Sequence, residues 1–176
     1  MQVNRRRFTG QFTVLGAFIA TMTHSALLTA AELNNPVESP ILVVAGKITL
    51  TNKGQRAVFD RPMLDAMSGT KIRTTTPWYT GEVEYEGVLF SRLLTEIGAT
   101  GDKLQITALD DYSREIDIAD LTTHQAILAL KRNGEYMPVS DKGPLAVIYP
   151  YDSAPELKNE KYYSRSVWQV RRIEVR

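Results

Sequence analysis

Trp78 follows Pro77 in a polar loop between extended segments, where its indole has little to bury; an aromatic face so placed stacks on flat groups. Asp110-Asp111-Tyr112 sets two carboxylates and a phenol at one turn, and an ionised carboxylate accepts two donors at once. Ser164-Arg165-Ser166 places a guanidinium between two hydroxyls. Each has a structural alternative. A tryptophan also caps the end of a sheet, Asp in a turn usually caps backbone N–H groups, and Arg165 would look the same as a solvated residue on an edge strand. Trp168, followed by Val170, Ile173 and Val175, reads as core. Other chemistries lack their residues. There is no cysteine, no His pair, no Glu-x-x-His and no Asp-rich loop for zinc, iron or calcium. His124 is the one histidine outside the first residues, and no Gly-x-Ser-x-Gly elbow accompanies it, so it reads as a polar residue at a strand entrance.

The elements that must position these groups follow from pattern. Residues 41–51 read as a strand, turned at Asn52-Lys53-Gly54 into a partner at 55–59. Asp60 caps a short helix with Pro62 in its first turn and Met63, Leu64 and Met67 on its inner side, ended by Gly69. A strand at 70–76 precedes the helical stripe Phe90, Leu93, Leu94 and Ile97, which Gly98 stops. Residues 103–109 alternate with Leu104, Ile106 and Ala108 inward, 110–112 turn, and 115–118 are extended again. Residues 125–130 run into the hairpin signal Asn133-Gly134, and strands at 145–149 and 168–175 close the chain. Tyr149, Tyr151, Tyr162 and Tyr163 suggest an aromatic rim around the 150–163 loop, as a lid, a partner surface or plain packing. Short strands with a few small helices and no internal repeat predict one α+β domain on mixed sheets.

Charge is unevenly spread. Residues 1–31 hold three arginines and no acid, so the chain's 21 basic and 20 acidic side chains become 18 and 20 in the remainder, a net −2 that supplies no basic field for nucleic acid. Arg5-Arg6-Arg7-Phe8, the weakly apolar run 12–28 and Thr29-Ala30-Ala31 have the form of a cleavable twin-arginine leader, with a retained membrane anchor as the alternative. The expected organisation is therefore a leader at 1–31, a proline-punctuated linker at 32–40 and a folded body at 41–176, working in the periplasm. Absence of cysteine agrees with an oxidising compartment.

Lys142-Gly143-Pro144-Leu145, Tyr149-Pro150 and Trp168-Gln169-Val170 resemble the end of the molybdopterin-binding domain of the sulfite-oxidase family. Tyr85 and Gly87-Val88-Leu89 with Leu93-Leu94 resemble its Trp-x-Gly-Val-x-Leu-x-x-Leu-Leu element, and residues 74–78 stand where longer relatives place a cysteine loop, here shortened. The resemblance implies the sulfite-oxidase-type fold and a pterin ligand, whose ring would stack on Trp78 while its amino and ring N–H groups meet Asp111. Tyr112 would add an edge contact. Ser164, Arg165 and Ser166 would meet the ligand's tail or a carbonyl. The family's metal is usually held by a cysteine thiolate, so the molybdenum cofactor is not expected here, and the ligand is expected to be neopterin or a tetrahydropterin. Cysteine-less exported relatives imply a non-catalytic protein that signals pterin occupancy to a membrane-bound diguanylate cyclase or phosphodiesterase of cyclic-di-GMP turnover. A small molybdopterin-dependent oxidoreductase and a ligand-free interaction scaffold are the other two readings.

Overall fold

The computed structural model describes Met1 and residues 33–176, so the expected leader lies outside the described residues except for Met1. In chain order β1 (Leu42–Gly46) and β2 (Ala57–Phe59) are followed by α1 (Arg61–Met67), β3 (Thr70–Thr76), β4 (Tyr79–Leu89) and α2 (Phe90–Glu96). Then come β5 (Lys103–Ala108), β6 (Ser113–Asp117), α3 (Ile118–Thr123), β7 (Ile127–Arg132), β8 (Glu135–Tyr136), β9 (Ala146–Ile148), α4 (Glu160–Arg165) and β10 (Val170–Val175). One sheet runs β2-β1-β10-β5-β6, with β1 parallel to β10 and the other pairs antiparallel. The second runs β3-β4-β7-β8, and β9 also pairs with β7. Mixed sheets with short helices match the expected α+β class.

Alternation sets which side chains each sheet buries. Leu42 and Val44 on β1, Leu104, Ile106 and Ala108 on β5, and Ile173 and Val175 on β10 all enter one continuous core, which Phe90 and Leu93 of α2 join. Among the strands, two depart most from the sequence reading. The strand expected to reach residue 51 stops at Gly46, whose φ is +94° and where a Cβ would lie 2.1 Å from the Val175 carbonyl oxygen. The chain then leaves the sheet, and Thr49 N–H bonds to the Ile97 carbonyl at 3.1 Å. β4, eleven residues long, went unread over most of its length because its charged residues alternate only weakly with buried Val83 and Tyr85. Pairing with β3 on one side and β7 on the other supplies what its own pattern lacks.

Residues 33–38 are tied to the body by a side chain the sequence identified as a helix cap. Asp60 is fully buried and accepts N–H donors from Met63 at 3.0 Å, Val37 at 2.6 Å and Glu38 at 2.9 Å. Asn52 adds a bond to the Asn34 carbonyl at 2.7 Å, and Leu33 is buried. The segment expected as a linker thus touches the body through Leu33, Asn34, Val37 and Glu38, while most of its residues stay exposed. Burial alone would raise the Asp60 pKa, but the amides of Glu38, Met63 and Val37 outweigh it and hold the carboxyl below its ordinary 3.8. Its stabilisation is therefore complete above that ordinary value and is lost as pH falls through the lower folded one. Asp60→Ala should cost about 2 kcal/mol in urea unfolding at neutral pH, a difference that shrinks in acid.

Candidate functional site

Four segments meet around an open cleft of about 500 Å³. The tight turn between β3 and β4 presents Pro77 and Trp78, and the turn between β5 and β6 presents Asp110 and Tyr112, with Arg114 beside them on β6. α4 contributes Glu160, Tyr163 and Ser164, and the segment before β10 contributes Ser166, Trp168 and Gln169. Trp78 sits edge-to-face on Trp168, ring centroids 4.9 Å apart, and 6.0 Å from Tyr163. Both tryptophans are only half-buried. The indole N–H of Trp168 is buried without a hydrogen-bond partner among the described residues.

Polar contacts hold this aromatic wall. Behind it, the Lys142 ammonium lies 4.5 Å from the Trp168 ring and 4.8 Å from the Tyr79 ring, distances at which a cation is attracted to both faces. Tyr79 donates its hydroxyl to Asp141 at 2.6 Å, and Arg132 bonds both Asp141, at 2.6 Å, and the Tyr79 oxygen. Arg132, then Tyr79, lowers the Asp141 carboxyl to about 2, while burial, then Asp141, raises the Tyr79 phenol, so aspartate and phenol both keep their neutral-pH forms. On the other side, Arg114 Nε donates to the Tyr112 hydroxyl at 2.7 Å, which donates in turn to the Ser164 carbonyl at 3.3 Å. That chain joins the β5–β6 turn to α4. Asp152 clips the β3–β4 hairpin from a third direction, accepting from Thr75 N–H at 2.6 Å and Thr75 Oγ1 at 2.7 Å.

Of the residues read from sequence, Trp78, Tyr112, Ser164 and Ser166 line the cleft. Asp111 and Arg165 do not. Asp111 has φ +66°, which swings its exposed carboxylate to Arg171, and Asp110 faces the cleft in its place while accepting the Tyr112 N–H at 3.0 Å. Arg165 turns to Asp120, 2.8 Å away and also bonded by the Tyr149 hydroxyl. Ser166 reaches the cleft wall, but its buried hydroxyl is committed to the Tyr162 carbonyl at 2.9 Å and to Tyr151 OH. Ser164 Oγ donates to the Lys161 carbonyl at 3.0 Å. Trp168 departs from its reading as core because Gln169, at φ +50°, breaks the alternation that would carry it inward with Val170. Tyr149, Tyr151 and Tyr162 are buried, so of the four tyrosines expected at a rim only Tyr163 lines the cleft. Glu160 and Arg114 were missed. An Asn159 cap followed by Glu was the available signal for the first, and strand alternation on β6 for the second. His124 bonds Tyr162 OH at 3.2 Å, away from the cleft lining.

The arrangement can stack a flat ring against indole and phenol faces and offer carboxylates to its donor edge. Charges lining it are Asp110 and Glu160 against Arg114. The family model described as "Oxidoreductase molybdopterin binding domain" matches residues 43–175. No curated protein matches the chain. Among solved structures, the sulfane dehydrogenase SoxCD from Paracoccus pantotrophus is similar in fold, with a TM-score of 0.54 at 20% identity over 76% of this chain. The match spans 37% of that chain.

Proposed function

Because this chain belongs to the oxidoreductase molybdopterin-binding domain family, with the sulfite-oxidase-type fold, we propose that it binds a pterin in the cleft lined by Trp78 and Trp168 without performing redox chemistry. The observation that carries this reading is the pair of half-buried tryptophans in contact at 4.9 Å, with Tyr112 and Tyr163 on the same cleft. A core has no use for aromatic faces left open to solvent; a bicyclic heterocycle has. A carboxylate accepts the pyrimidine edge of a pterin best, and Asp110 or Glu160 takes the role that the sequence assigned to Asp111.

The family's metal fits these residues less well. The sequence has no cysteine to give a thiolate, and among the described residues no group of three or more His, Asp or Glu side chains converges as a substitute. Nor does the lining suit the phosphate of molybdopterin, since two carboxylates face one guanidinium there. The remaining parts of the reading rest on the resemblance and the leader motif. The protein is exported to the periplasm and reports pterin occupancy to a membrane-bound enzyme of cyclic-di-GMP turnover.

Neopterin titrated into the exported chain should quench tryptophan emission saturably. A hydrogen bond to a charged group contributes about 1.5 to 3 kcal/mol, so whichever of Asp110→Asn and Glu160→Gln removes the edge acceptor should weaken binding about tenfold or more. No binding by the unaltered chain would sink the reading. One molybdenum per chain in protein exported from its native host would favour the redox alternative.

A further inference from the structure

Behind the cleft wall lies a second groove, of about 510 Å³, that the pterin reading does not use. Its floor is apolar: Val43 of β1, Pro144, and the exposed Leu109 and Val139, which stay 43% and 51% accessible. Its rim is basic, formed by Arg56, Arg171 and Arg172. Two neighbouring arginines share one side of β10 because the strand carries a bulge, its register against β5 shifting between Val170 and Arg172. A regular strand would have sent one of them to the opposite face.

The rim's charge is available to a partner. No carboxylate lies within ion-pair distance of Arg56 among the described residues. Arg171 and Arg172 hold Asp111 and Glu174 in exposed pairs, which contribute little and exchange readily for another carboxylate. Groove and cleft also share their walls. Leu109 adjoins Asp110, Arg171 lies two residues from Gln169, and Gln169 donates to the Val139 carbonyl at 2.7 Å.

We propose that this groove docks an acidic, amphipathic segment of a protein partner, apolar side chains on Leu109 and Val139 and carboxylates on the arginine rim. The proposal deepens the reporting role above and rests on it, since ligand contacts at Asp110, Trp168 and Gln169 bear on the segments around Leu109, Val139 and Arg171 that line part of the groove.

The test uses the exported chain and two fluorescein-labelled peptides, one alternating leucine with glutamate and the other leucine with lysine, read by anisotropy. The acidic peptide should bind, weaken with added salt, and lose about tenfold or more in affinity to Val139→Asp and to Arg172→Glu. Equal binding of both peptides, no binding, or indifference to both substitutions overturns the proposal. So does a dimer in sedimentation that Val139→Asp dissolves, or binding to phosphatidylglycerol vesicles that Arg172→Glu abolishes, since each assigns the groove a different occupant. Neopterin titrations of the same samples separate the two claims: a failed groove with intact neopterin binding leaves the cleft reading standing, and the reverse removes it.

Discussion

Trp78→Ala should reduce neopterin affinity at least about tenfold while leaving the fold in place. Alanine substitution of an aromatic that stacks on a heterocyclic base costs about 1 to 3 kcal/mol, and Trp78 also buttresses Trp168 at 4.9 Å and Tyr163 at 6.0 Å, so its loss removes one wall and loosens the other. The side chain is half-buried at the tip of a hairpin, so its removal leaves the main core intact. Trp78→Phe keeps a stacking face and should recover most of the affinity. Isothermal titration of the three proteins, with circular dichroism to verify folding, decides the matter. Equal affinity for neopterin in Trp78→Ala would falsify the assignment of the cleft.

The largest effect on stability is expected from one methyl group at Gly87. β4 and β7 approach so closely there that a Cβ would stand 2.2 Å from the Leu128 carbonyl oxygen and 2.6 Å from the Ala129 Cα. Both are backbone atoms of a central strand, so no side chain can rotate away. The pair also shifts register between Glu86 and Gly87. Relief requires β4 and β7 to part, with loss of ladder hydrogen bonds and of packing by Val88 and Leu128, both fully buried. Gly87→Ala should cost about 4 kcal/mol or more and leave little folded protein at 37 °C. Gly134→Ala, at an open hairpin position with nothing within 4 Å, serves as the control, with only its positive φ to strain it. A melting temperature for Gly87→Ala within a few degrees of the unaltered chain would show that the sheet tolerates a wider spacing.

Much of this molecule was legible locally. Asp60 announced a helix because Asp followed by proline in the first turn satisfies exposed N–H groups, and it caps α1 as expected. The stripe Phe90, Leu93, Leu94 and Ile97 buries one face of α2, and Gly98 ends it at φ +57°. The α3 helix was not legible, since only Leu121 of its six residues is buried and one contact has no period. The family resemblance drew on the order of several short segments, and the matched domain covers nearly the whole folded body.

Residue chemistry was also settled before folding: a chain without cysteine has no thiolate to offer a metal, however it folds. Trp78 could be chosen because an indole beside a proline in a polar loop is costly to expose without use. Direction was a different matter. Adjacent residues of one turn point oppositely, so a single positive φ at Asp111 sends its carboxylate to Arg171 and gives the cleft to Asp110. Gln169 does the same for Trp168, and the bulge in β10 puts Arg171 and Arg172 on one rim. Arg165 found a partner 45 residues away in Asp120, which local pattern does not encode. Composition and short-range pattern select elements and chemistry because those depend on a few neighbouring residues. Which side chains converge depends on backbone twists of one residue and on packing between distant segments, and these exist only once the sheets have formed.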